Sequence, residues 1–258
     1  MAIPPPVIPP LPDDILFNIF SRLEDRRYLA SAMLVRHAWY DIAERLQYAD
    51  ITLRFPLFEQ AGDRRAARCL KTLATRNTAA HAARHLAVSG TLTGQTIALL
   101  LDALRQTTRL ISLELQVGNH SDVNGFLDVW QVACDSSQFL PQLSAINTDY
   151  AAAAINVARG RPLSVLSLPM LIAAPTSRTV IDSLVLSSAP VTQLRLHVEV
   201  DDMTAALEVL RSTCRVFTYL HVISLQLRLP KPADVTWDTF GVRAHLPSCP
   251  ISLLIPLA

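Results

Sequence analysis

The sequence predicts an α/β protein in two parts: three short amphipathic helices, then a curved array in which strand and helix alternate. Three observations carry this. Apolar residues recur at helical spacing three times between Ile15 and Leu46. Seven short apolar-alternating runs follow, with helical segments between them. Their leucines return at a loose period of a few tens of residues, the signature of a stacked repeat.

Residues 1–10 hold five prolines. Proline fixes φ and removes an amide donor, so this piece reads as an extended lead-in, with a ligand for a proline-reading domain as the sharper alternative. Leu11-Pro12-Asp13-Asp14 opens the first helix. Pro12 suits a first turn, and the two carboxylates suit the positive end of the helix dipole. Ile15, Leu16, Ile19, Phe20 and Leu23 form its apolar stripe. Glu24-Asp25 interrupts the stripe and offers a cap. A second helix carries Leu29, Ala32 and Met33, and a third carries Val35, Trp39, Ile42, Ala43 and Leu46. Three such helices in about 40 residues bury little of their own surface, so the unit must pack on something else.

From residue 51 the pattern changes. The runs are 51–53, 85–88, 112–115, 143–146, 165–168, 194–196 and 225–227. With Leu86, Leu113, Leu143, Leu166, Leu194 and Leu225 as anchors, the spacings are 27, 30, 23, 28 and 31. Helices are predicted over 65–73, 96–104, 151–158 and 204–211, the last capped by Asp201-Asp202. A strand and a helix repeated at this period give an α/β solenoid with parallel strands on the concave side. From Pro230, five prolines interrupt the chain, which ends in an uncharged apolar segment. A solenoid needs an end cap, so this segment either folds back as the cap or belongs to a longer array.

Half the residues are hydrophobic and 17% are charged, enough apolar mass for a real core. A net charge of +1 argues against nucleic acid or a membrane surface as the main partner. Cys69, Cys134, Cys214 and Cys249 lie far apart and form no disulfide framework, so reduced thiols and a cytoplasmic or nuclear location are expected. The N-terminus lacks the charged start and apolar core of a signal peptide, and no apolar run reaches the roughly 18–20 residues of a membrane span.

The pattern Leu11-Pro12-x-Asp14-Ile15-Leu16-x-x-Ile19-Phe20-x-x-Leu23, followed by Leu29, Val35 and Trp39, resembles the F-box family. Arg36 departs from it, standing where a cysteine or serine often follows the valine. Residues 11–48 would be the F-box. The stretch through 51–53, 69–73 and 84–88 is similar to the start of the leucine-rich repeats in fungal F-box proteins, which would extend over 49–229, with 230–258 as a Pro-rich apolar terminal segment. The resemblance implies a substrate-recognition adaptor of a Skp–cullin–F-box ubiquitin ligase, non-enzymatic and without a cofactor. Its partners would be a Skp-type adaptor, through it a cullin, and a target protein held by the repeats. Leu11, Pro12, Ile15, Leu16, Ile19, Phe20, Leu29, Val35 and Trp39 are the adaptor-binding candidates, divided about equally between interface and the helices' own core. The alternative is a leucine-rich-repeat scaffold with no ligase role.

Catalytic signatures are absent: no Walker loop, no G-x-G-x-x-G, no G-x-S-x-G and no H-E-x-x-H. His197, Glu199 and Asp201 alternate along a predicted strand and share one face. A metal-dependent hydrolase could use such a row, but no further ligand stands at metal spacing, so a polar target-binding face is expected. Cys69 with His81 and His85 could form a thiol–imidazole pair, against the plainer reading of a buried thiol. The basic run Arg64, Arg65, Arg68, Lys71 and Arg76 reads as a solvated helix face before a phosphate site.

Overall fold

The computed structural model describes residues 11–23, 25–56, 61–118, 123–200, 203–217, 219–228 and 251–254. The Pro-rich lead-in, Glu24, the Asp201-Asp202 cap and nearly all of the Pro-rich C-terminal segment lie outside them.

The N-terminal unit consists of α1 (Asp13–Phe20), α2 (Arg26–Val35) and α3 (His37–Ala49). Pro12 is the N-cap of α1, and its carbonyl accepts from the amides of Ile15 and Leu16. Asp25 caps α2 by accepting from the Arg27 amide at 2.9 Å. The three helices enclose Leu16, Phe20, Leu29, Ala32, Ile42 and Ala43. Trp39 closes this core edge-on against Phe20, with centroids 5.4 Å apart. Two of the six are alanines, so the apolar burial here is small beside the roughly 2 kcal/mol each large side chain contributes.

Among the described residues, the rest forms one eight-stranded sheet with its connecting helices. Its strands are β1 (Asp50–Phe55), β2 (His85–Gly90), β3 (Ser112–Val117), β4 (Ala145–Thr148), β5 (Val165–Ala173), β6 (Gln193–Glu199), β7 (Val222–Arg228) and β8 (Ile251–Leu254). They lie side by side in chain order, every pair parallel. The connections carry α4 (Ala61–Thr75), α5 (Asn77–Ala82), α6 (Gly94–Gln106), α7 (Val123–Cys134), α8 (Ala151–Ala158), α9 (Ala174–Leu184) and α10 (Met203–Val216). The sequence reading contains neither α5, α7 nor α9. It does contain the strand Ile251–Leu254 only as an apolar tail; the structure pairs it with β7.

The repeat has a backbone signature. From β2 to β6, the carbonyl just before each strand accepts two amides from the start of the next. Arg84 accepts from Ile111 and Ser112, Ile111 from Ser144 and Ala145, and Ser144 from Ser164 and Val165. Ser164 then accepts from Thr192 and Gln193, and Thr192 from His221 and Val222. Ile51, Leu86, Leu113, Ile146, Leu166, Leu194 and Ile223 share one register row. Two sequence anchors are thereby corrected. Leu143 lies ahead of β4, and Leu225 lies one side-chain alternation past Ile223. Each is apolar and near the right spacing, but only pairing fixes register.

From β1 to β6 one face of every strand is buried and the other is half-buried or exposed. The buried face and the helices form a single core running from Ile51 to Leu220. Within it Trp130 lies between Phe126 and Phe139 and donates its indole N–H to the Ala153 carbonyl at 3.1 Å. Pro169 sits in an interior strand without breaking it. β4 pairs with β5 only as far as Ser167, and β5 bulges between Leu168 and Leu171.

The two parts meet at α3. Arg76, after α4, reaches the buried Glu44 carboxylate and the Tyr40 hydroxyl on α3. Arg26 on α2 pairs with Asp50 at the head of β1 at 3.2 Å.

Candidate functional site

Two surfaces hold the residues that the sequence singles out. The first is on the N-terminal helices. Leu11, Pro12, Ile15, Ile19 and Val35 are exposed. Ile15 and Ile19, four apart, share one face of α1, while Leu16 and Phe20, also four apart, share the face turned into the core. Leu16, Phe20 and Leu29 are therefore corrected from adaptor contacts to core: at 3–5% exposure they have no surface left to offer. Trp39 is half-buried, its ring engaged by Phe20.

The structure adds three exposed side chains that the sequence reading omits: Phe17 on α1, and Tyr28 and Leu34 on α2. Leu34 is 89% exposed, an unusual state for a leucine in a helix. The signal was available in phase. Leu29 and Ala32 point inward, which puts Leu34 on the far side of a 3.6-residue helix.

The second surface is the open face of the sheet. Asp50, Thr52 and Arg54 of β1 lie on it, as do Glu114 and Gln116 of β3, Asn147 of β4 and Ser167 of β5. On β6, Arg195, His197 and Glu199 all fall on this face, as alternation predicts. His197 stands opposite Leu171 and Gln226, and Glu199 opposite Ala173 and Arg228. Asp201 lies outside the described residues. Among those residues, no group of three His, Cys, Asp or Glu side chains could hold a metal.

The face is polar and tightly furnished. Gln116 donates to the Glu114 carboxylate at 2.6 Å. The Asp149 carboxyl is raised above its ordinary value, first by burial and then by the Glu114 charge.

Cys69 is not brought to its candidate histidines: it packs against the buried side of the sheet, while His85 is exposed on the other side of β2. Cys69 lines a cleft with Tyr48 and β1, whereas His81 lines a different one with Arg45 and Arg109. Burial pushes the Cys69 thiol up, away from nucleophilic use. Among the described residues no helix is long and apolar enough to cross a membrane.

The F-box-like family model matches residues 8–53, covering α1 to α3 and the start of β1. The chain thus carries an F-box-like domain. Domains of this type bind Skp-type adaptors, which points to a substrate-adaptor role in a ubiquitin ligase. No curated protein matches the chain.

Proposed function

We propose that this protein is the substrate-recognition subunit of a Skp–cullin–F-box ubiquitin ligase. The observation that carries the reading is the F-box-like domain at 8–53, whose helices leave several apolar side chains exposed. Ile15, Phe17 and Ile19 on α1, with Leu34 and Val35 at the end of α2, bind the Skp-type adaptor, and Leu11 and Pro12 extend that contact. Exposed apolar side chains on small helices favour burial against a partner. The cullin is reached through the adaptor.

The strand–helix array is a leucine-rich-repeat-like solenoid of the kind found in fungal F-box proteins. Its open face, including His197 and Glu199, holds the target. The protein acts by placing that target, without catalysis of its own, in the cytoplasm or nucleus. Sequential parallel order and recurring strand-start hydrogen bonds support the solenoid.

The test is the affinity of the full chain for a purified Skp-type adaptor. Wild type binds saturably. Ile19→Asp with Val35→Asp weakens binding at least thirtyfold while leaving the circular dichroism unchanged. A folded wild-type protein that does not bind the adaptor would sink the ligase reading and leave an interaction scaffold.

A further inference from the structure

We propose that a cleft at the free edge of the sheet, between α3, β1 and α4, is a binding site for a phosphoryl group. It stands on the cleft's own chemistry and does not depend on the ligase reading. The cleft encloses about 410 Å³, and Arg26, Arg65 and Arg68 line it. Arg65 and Arg68 are three apart on α4, so their guanidinium groups share one face and reach the same space. Among the described residues that line it, none carries a carboxylate. Asp50 pairs with Arg26 from beside the cleft and leaves the other two guanidinium groups for a ligand.

The remaining lining groups are donors or neutral. Burial, followed by the neighbouring Cys69, raises the Tyr48 hydroxyl, and burial raises the Cys69 thiol. Both keep their protons at neutral pH, so neither adds negative charge that would repel an anion. Thr52 also lines the cleft. Its backbone amide adds a further donor. Ala49 and Phe55 turn their carbonyls to β2, accepting from Arg84 and Thr91, and alternation turns the Thr52 peptide groups to the open edge. Gln47 lines the cleft too, and its buried Oε1 has no hydrogen-bond partner. Rotation of that amide would present N–H donors in its place. Two or three guanidinium forks with backbone and hydroxyl donors are the chemistry that holds a dianionic phosphoryl oxygen set. The group can be carried by a phosphorylated side chain of another polypeptide or by a small free phosphate.

Calorimetric titration of the full chain at low ionic strength decides the matter, with inorganic pyrophosphate as the first probe. Saturable one-to-one binding is expected. It should weaken at least tenfold in the Arg65→Gln/Arg68→Gln protein and less than twofold in Lys71→Gln, which removes a charge from the same helix outside the cleft. Arg68→Lys, which keeps charge and loses the fork, should fall between them. A phosphoserine heptapeptide in a Gly/Ser background and its unphosphorylated twin form the second arm. Tighter binding of the phosphopeptide than of pyrophosphate assigns the group to a polypeptide, and the reverse order assigns it to a free phosphate. Absence of saturable binding to either probe overturns the site. So does equal loss in Lys71→Gln, which would mean diffuse charge attraction, or an unaltered affinity in the double variant. Arg65 and Arg68 are exposed, and circular dichroism of each variant checks that the fold is kept.

Discussion

At the scale of single residues, a few positions hold the backbone where no other side chain would serve. Gly90 has φ +106°, and a Cβ there would lie 1.8 Å from the Phe55 carbonyl oxygen. That same oxygen accepts from the Thr91 amide at 2.9 Å, so the strand cannot retreat without losing the bond. Gly90→Ala is expected to destabilise the protein by at least about 2 kcal/mol in urea unfolding. Arg161 is a buried cation with a purely structural assignment. Its guanidinium donates to the carbonyls of Ser136, Phe139 and Arg159, clasping the turn in which Leu140 adopts φ +50°. Arg161→Leu leaves the buried Phe139 carbonyl without its guanidinium donors, a loss of about 1–3 kcal/mol by the same measurement. Cys134 gives a pH test. Burial pushes its thiol from 9.0 up to about 12. The folded protein therefore keeps a proton that the unfolded chain sheds, and the stability from this group is complete below about pH 9 and lost as pH rises toward 12. The slope reaches at most about 1.4 kcal/mol per pH unit. Between pH 9 and 11, Cys134→Ala should lose less stability than wild type, and parallel curves would refute the assignment.

At the scale of elements, α1 shows how one helix serves two ends. Its inward pair, Leu16 and Phe20, builds the three-helix core, and its outward pair, Ile15 and Ile19, stays free for a partner. Leu16→Ala should cost about 2–5 kcal/mol of stability, as large-to-small core changes do. Ile15→Ala should cost under about 0.5 kcal/mol, as surface changes do. A substitution at Trp39 would confuse the two roles, because its ring packs on Phe20. Between elements, the Arg76 contact to Glu44 differs from ordinary surface pairs such as Arg105 with Asp102. The Glu44 side chain is 3% exposed, against 56% for Asp102. Arg76→Gln leaves a buried carboxylate with only the Tyr40 hydroxyl, and is expected to destabilise by about 1–3 kcal/mol. Arg105→Gln should change stability by no more than a few tenths of a kcal/mol.

At the scale of the whole molecule, two cores of unequal size share one chain. The sheet and its helices form a continuous apolar body, while the N-terminal helices hold a separate small cluster. Local opening follows buried contact, so amides of α1 and α2 should exchange with deuterium well before those of β2 to β5. Equal protection of the two regions would show that the α3 contacts make them one cooperative unit.

The sequence by itself determined the order and type of the main elements. The N-terminal helices, seven strand positions and the alternating face of β6 follow from period alone, because periods of 3.6 and 2 are local properties of a chain. The F-box resemblance at 11–48 was equally legible, since the Leu-Pro opening and the Ile-Phe and Val–Trp spacings are linear patterns, and the family match at 8–53 overlaps it. Helices α7 and α9 were harder to see. Gly125 within α7, and Pro175 with several Ser and Thr residues within α9, lower the helix propensity of stretches whose inward residues are Phe126 with Trp130 and Val180 with Leu184. Only the tertiary structure decided which of two apolar faces of α1 turns inward, for both are apolar and neither carries a label. It alone decided that Ile146 and Ile223, and not Leu143 and Leu225, stand in the common row. And it alone brought Arg65 and Arg68 of a basic helix to Arg26, about 40 residues away, at one edge of the sheet. Each of these choices depends on what lies across a gap in space, and the spacing of residues along the chain carries no such information.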